Sequence, residues 1–174
     1  RMTPAAHIPM HTPAEAIAEL EHAVGALGFK AIMINGLVHR PIGGAAPAHD
    51  PRLPSWGSGS GERLDCLGLD SAHDYDPFWR RCVELRVVPA SHTPGMGWGS
   101  RTTTNYMYNH TGHFAAAGEL ICKAMLMSGV TKRFPSLKVG FLEAGVGWAS
   151  DLYAGMVARW KKRNPKGLEN YKPE

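Results

Sequence analysis

His92 directly follows the apolar run Val87-Val88-Pro89-Ala90-Ser91, and Glu143 directly follows Val139-Gly140-Phe141-Leu142. A neutral imidazole at the end of a strand suits zinc and related divalent metals. The competing reading is a hydrogen-bonded histidine beside the turn Thr93-Pro94, and the residues alone leave the two level. A carboxylate at the end of an apolar run is costly unless paired. Glu143 could ligate a metal, orient water or act as a base. It could equally cap the next helix, where the helix dipole favours negative charge. In Asn109-His110-Thr111-Gly112-His113 two histidines stand three apart at an expected helix start, so both could face one side. They are candidate metal or proton-transfer groups, or simply surface residues in a capping segment. Arg40 and Arg101 lie in loops beyond strand ends, where a guanidinium could hold a substrate carboxylate bidentately.

The elements that must position these groups follow from the apolar spacing. A first strand is expected over about 5–10 and ends near His11. Thr12-Pro13-Ala14-Glu15 then opens a helix: Thr12 caps, Pro13 fits the first helical position and Glu15 completes a capping box. Ile17, Leu20, Val24 and Leu27 continue at helical spacing, and Gly28 supplies the stop. Residues 29–34 read as a buried parallel strand that ends in Asn35-Gly36. The stretch 41–71 is rich in glycine and proline and reads as a loop, with 43–71 as a flexible insertion. Asp76-Pro77 opens a second helix that leads into strand 87–91. A second loop covers 93–109, a third helix about 113–128, a fourth strand 139–142 and a fourth helix about 147–160.

This β-α alternation predicts an α/β fold with parallel strands and crossover helices. A (β/α)8 barrel needs about 250 residues, and this chain offers four units in 174 residues. The choice is an open doubly wound sheet or part of a larger barrel. In either, ligand groups sit at the C-terminal ends of strands, where His92 and Glu143 are expected as neighbours.

Composition narrows the function classes. With 44% hydrophobic and 20% charged residues the chain reads as one globular domain spanning 1–174. The net charge of +4 is mild, and the basic residues are spread along the chain. Nucleic acid is therefore not an expected partner; the basic run Arg159 to Arg163 reads as a helix end. No apolar run reaches the ~20 residues of a membrane span, so no membrane partner is expected. Three scattered cysteines form no disulfide framework, which favours a cytoplasmic setting.

The stretch Ser128-Gly129-Val130, continued by Arg133-Phe134-Pro135-Ser136-Leu137-Lys138-Val139-Gly140-Phe141-Leu142-Glu143-Ala144-Gly145-Val146-Gly147-Trp148, resembles the amidohydrolase-2 family. That family comprises metal-dependent hydrolases and decarboxylases such as aminocarboxymuconate-semialdehyde decarboxylase. Residues 15–29, 70–84 and 109–114 also resemble it; 43–63 resemble it least. The resemblance implies a partial (β/α)8 TIM barrel of about four units, matching strands three to six. It implies a divalent metal, zinc or manganese, with His92 as the fifth-strand ligand. The family's first-strand histidine pair would fall before Arg1 and its eighth-strand aspartate after Glu174. Many family decarboxylases carry a histidine where this chain has Glu143. The implied roles are catalysis for Glu143, His110 and His113, and substrate binding for Arg40 and Arg101. The implied activity is hydrolysis or decarboxylation of a small carboxylate-bearing molecule, this chain being incomplete by itself. The alternative is a non-catalytic half-barrel that binds a partner or assembles with itself. On either reading four units leave a sheet uncovered, so a homo-oligomer or larger assembly is expected.

Overall fold

The computed structural model describes residues 4–41, 62–92 and 103–162. In chain order the elements are β1 (Ala5–Ile8), α1 (Pro13–Glu21) with a π-helical continuation (His22–Ala26), β2 (Ala31–Ile34), β3 (Val38–Pro41), β4 (Glu62–Asp65), α2 (Asp76–Leu85), β5 (Pro89–Ser91), α3 (Tyr106–His110), α4 (His113–Met127), α5 (Val130–Arg133), β6 (Gly140–Phe141) and α6 (Gly147–Lys162).

The start of α1 follows its sequence. The Glu15 N–H donates to Thr12 Oγ1 at 3.2 Å, and the Thr12 hydroxyl donates to Glu15 Oε2 at 3.0 Å. Side chain and backbone thus satisfy each other across the first turn. Gly28, at φ +71°, turns the chain from the helix toward β2. Pro77 lies in the first turn of α2, and Arg86 closes that helix in the left-handed region.

β1, β2, β5 and β6 form one sheet in that spatial order, and every neighbouring pair is parallel. A doubly wound sheet reverses its strand order at a switch point. Here the order advances one way, as successive units of a barrel do. The register pairs Ala6 with Ile32, Ile8 with Ile34, and Ile34 with Ser91. These side chains are buried in one core with Leu20, Phe78, Trp79, Cys82, Ile121 and Met125 from the helices. Each large side chain buried this way contributes about 1.5–3 kcal/mol. The alternate row, Ala5, His7, Ala31, Met33, Ala90 and Gly140, faces the other way and is exposed or half-buried.

Several elements depart from the sequence reading, among them β3, β4, α3 and α5. Within 41–71, expected to be loop, β4 pairs antiparallel with β3, Val38 opposite Asp65 and His39 opposite Leu64. The remainder of the expected insertion, 42–61, lies outside the described residues. Within the second expected loop, α3 is helical, capped by Asn105, whose side chain accepts from the Tyr108 N–H at 3.0 Å. β1 also ends at Ile8 instead of Met10, which changes the side chains found at its C-terminal end.

Candidate active site

His92 and Glu143 meet at the C-terminal edge of the sheet. The ladder continues one residue beyond β5 and β6: the His92 N–H donates to the Ile34 carbonyl and the Leu142 N–H to the Ser91 carbonyl, both at 3.0 Å. Those two bonds bring the strand ends alongside one another. His92 Nε2 lies 2.8 Å from Glu143 Oε2, as neighbouring strand-end placement predicts. Both side chains remain open to solvent, 31% for His92 and 62% for Glu143.

Glu143 has φ +60°, a left-handed backbone that a glutamate adopts only at a cost of about 1–3 kcal/mol. The loop behind it is held by Trp148. The indole N–H donates to the Gly145 carbonyl at 3.1 Å, and the indole meets the Phe141 ring edge-on at 5.2 Å. Gly118 of α4 packs against this indole, a Cβ there lying at ordinary contact distance, 3.4 Å.

The two further histidines come together differently from the expected one-turn spacing. His110 ends α3 and His113 begins α4, with Gly112 at φ +80° between them. The single helix start expected for the pair is therefore broken at Thr111-Gly112. Their rings nevertheless meet edge to face at 4.5 Å. Phe114 links them to the strand ends: its ring lies 4.1 Å from His113, 5.7 Å from His110 and 5.1 Å from His92. Tyr106 stacks on His110 at 5.1 Å. His113 is 6% exposed, and neither ring nitrogen has a hydrogen-bond partner. Among the described residues nothing offsets this burial, which costs about 1–3 kcal/mol for a polar group left so.

Arg40 has other partners. Its Nε donates to Asp65 Oδ2 at 3.0 Å and an Nη to the Tyr75 hydroxyl at 2.8 Å. Asp65 is fully buried and also accepts from the Leu67 N–H at 2.9 Å and the Ser71 hydroxyl at 2.8 Å. Tyr75 donates to the Met10 carbonyl at 2.5 Å. Burial pushes its phenol above the ordinary value, which keeps it a donor. Arg40 thus ties the hairpin to the segment after β1. Arg101 lies outside the described residues.

Sequence reasoning missed His7 and Asn35. His7 Nε2 lies 2.8 Å from Asn35 Oδ1 across β1 and the end of β2. The available signal was alternation: His7 falls between the core residues Ala6 and Ile8 and so must face away from the helices.

A one-way parallel sheet with an imidazole and a carboxylate converging at its C-terminal edge defines the class: an α/β barrel-type fold with a polar strand-end site. The family model described as Amidohydrolase matches residues 1–166, and the chain belongs to that family. Among solved structures, an amidohydrolase from Mycobacterium avium subsp. paratuberculosis K-10 is 22% identical with a TM-score of 0.60; the match covers 98% of this chain and 38% of that one. The 2,6-dihydroxybenzoate decarboxylase from Rhizobium is 21% identical with a TM-score of 0.53, over 80% of this chain and 38% of that one. Dihydroxybenzoic acid decarboxylase from Polaromonas sp. JS666, with bound manganese and the inhibitor 2-nitroresorcinol, is 24% identical with a TM-score of 0.50, over 78% and 35%. This chain therefore spans somewhat over a third of the length of these proteins, and its fold is a partial (β/α)8 barrel.

The donor set suits a divalent metal. One imidazole nitrogen and one carboxylate oxygen 2.8 Å apart, both open to solvent, match the ligand types of zinc and manganese. Among the described residues no group of three or more such side chains converges. The pair would supply only part of a ligand set.

Proposed function

We propose that this chain forms part of a metal-dependent hydrolase or decarboxylase acting on a small carboxylate-bearing molecule. The observation that carries the reading is the His92–Glu143 pair at adjacent strand ends in a chain of this family. His92 would hold the metal, zinc or manganese, which when bound polarises a carbonyl or lowers the pKa of water. Glu143 Oε2 can hold a proton taken from, or destined for, the reacting group. Its place beside His92 puts it next to the metal that His92 would hold. His113, whose ring nitrogens are unpartnered, and the neighbouring His110 can accept or return a proton on the same side. Phe114 packs among the three imidazoles.

The test measures bound metal by elemental analysis and turnover on two substrate types, 2,6-dihydroxybenzoate with carbon dioxide as the readout and a simple amide or ester. It uses the protein that carries this chain. His92→Ala should lose metal and turnover together. Glu143→Gln should lower turnover, and its metal content separates a ligand from a base. Full metal occupancy with unchanged turnover in His92→Ala would overturn the reading. A second reading, a non-catalytic half-barrel that assembles with itself, draws on the uncovered row from Ala5 to Gly140. Metal-free wild-type protein that forms a defined oligomer would favour it.

A further inference from the structure

The sheet face opposite the core changes character along its strands. Its first row is small, Ala5 beside Ala31, and its second runs His7, Met33, Ala90 and Gly140. Its third row, at the C-terminal edge, carries Asn35 and His92. Ile34 pairs with Ser91, and the His92 N–H extends that ladder to the Ile34 carbonyl. Asn35 and His92 are thus the next residues on adjacent strands. Such strands lie about 4.8 Å apart, so a small molecule held at His92 is within reach of Asn35.

The His7–Asn35 bond decides what Asn35 offers. An amide oxygen only accepts, so His7 Nε2 carries the hydrogen and donates to Oδ1 across 2.8 Å. That fixes the amide plane and leaves the two N–H donors of Nδ2 uncommitted among the described residues. Asn35 is half-buried, and the left-handed Gly36 after it turns the chain sharply into the buried Leu37. The backbone that presents the amide is therefore held on both sides.

We propose that Asn35 is a ligand-contacting residue that donates its amide N–H to an anionic oxygen of the molecule bound at the strand-end site. His7 is a positioning residue that sets the amide's orientation. The proposal rests on the reading of His92 and Glu143 as the site's centre and adds the group that selects a carboxylate over a neutral analogue.

The experiment titrates the protein that carries this chain with benzoate and with its neutral counterpart benzamide, by calorimetry. Asn35→Asp keeps the size but replaces donors by a negative acceptor. It should weaken benzoate about tenfold or more, the worth of a hydrogen bond to a charged oxygen, and move benzamide less than about threefold. His7→Phe should reduce the benzoate preference about threefold, and His7→Gln, which retains a donor, should restore most of it. A purely structural role would shift both probes together, along with the melting temperature. Should Asn35→Asp not fold, Asn35→Leu, near in size and without a donor, gives the same comparison without added charge. An unmoved benzoate-to-benzamide ratio in the Asn35 variants, or no benzoate binding to the wild type, overturns the proposal. Metal content is read in parallel. A metal-free wild type whose ratio collapses in Asn35→Asp would refute the metal reading and keep this one, and full metal with an unmoved ratio would do the reverse.

Discussion

Removing the Arg40 guanidinium should unfold the protein more easily and leave ligand binding nearly untouched. Asp65 is fully buried, and the Arg40 side chain is 15% exposed. In Arg40→Met the carboxylate keeps the Leu67 N–H and the Ser71 hydroxyl but loses its counter-charge. Breaking a buried ion pair from one side costs about 3–5 kcal/mol. The two surviving hydrogen bonds and the slight exposure place this case at the lower end, about 3 kcal/mol. At about 2–4 °C per kcal/mol for a chain of this size, the melting temperature should fall by roughly 6–12 °C. Asp65→Asn should cost a similar amount, because the near-isosteric amide retains an acceptor for Leu67 but no charge to face Arg40. Because the two residues share one contact, the double variant should lose less than the sum of the single ones. Thermal and urea unfolding followed by circular dichroism measure all three. A change under about 1 °C in Arg40→Met, accompanied by a large loss of carboxylate affinity, would refute this reasoning. It would return Arg40 to the substrate-binding role that its loop position suggests.

Gly36→Ala should destabilise by about 2–4 kcal/mol, because the new Cβ meets the Ile121 side chain and lies 2.6 Å from Ser91 Oγ at a φ of +76°. Adding Ile121→Val, which removes the clashing methyl, should then raise the melting temperature of the variant while lowering that of the wild type. Burial pushes the Cys82 thiol up to about 12 from an ordinary 9.0. The native state keeps this proton where the unfolded state releases it, so stability present below pH 9 is lost as pH rises from 9 toward 12. The slope attributable to Cys82 is about 1.4 kcal/mol per pH unit. Urea titrations at pH 8, 9 and 10 should show a shallower decline in Cys82→Ala, and an identical slope in the two proteins would contradict the assignment.

The elements legible in the sequence were those whose signals are local. Thr12, Pro13 and Glu15 announce α1 because capping involves atoms within one turn. His92 and Glu143 were legible as neighbours because parallel strands in a βα alternation end on one side. The β3–β4 hairpin was not legible. Val38-His39-Arg40-Pro41 and Glu62-Arg63-Leu64-Asp65 show no clean alternation, and the residues between them are rich in glycine and proline. Their pairing is fixed by the Arg40–Asp65 contact, which no window of sequence contains. The break between His110 and His113 was hidden for a related reason. Thr111-Gly112 is compatible with a helix start or a helix end, and here both occur: Thr111 ends α3 in an extended conformation and Gly112 opens α4 at φ +80°. His7 was overlooked because strand β1 was expected to extend to Met10, which moved the polar end away from it.

The two faces of the sheet divide the labour between stability and chemistry. Ile8, Ile32, Ile34 and Ser91 point into the helices, and their replacement would be felt as lost packing. His7, Asn35 and His92 point the other way, where they make polar contacts, His92 also meeting the Phe114 ring. A fold optimised only for stability would not place Glu143 in the left-handed region, since glycine adopts that backbone without strain. Leu67, Asp70 and Arg86 share the conformation; Leu67 and Asp70 lie in the turn after β4, and Arg86 closes α2, a normal role for a residue ending a helix. The strain at Glu143 instead coincides with a side chain aimed at a strand-end imidazole and a loop clamped by Trp148. Strain of this kind persists only when surrounding structure over-determines it. The Trp148 clamp and the ladder bond from Leu142 supply that constraint here, and both converge on holding one carboxylate oxygen beside His92.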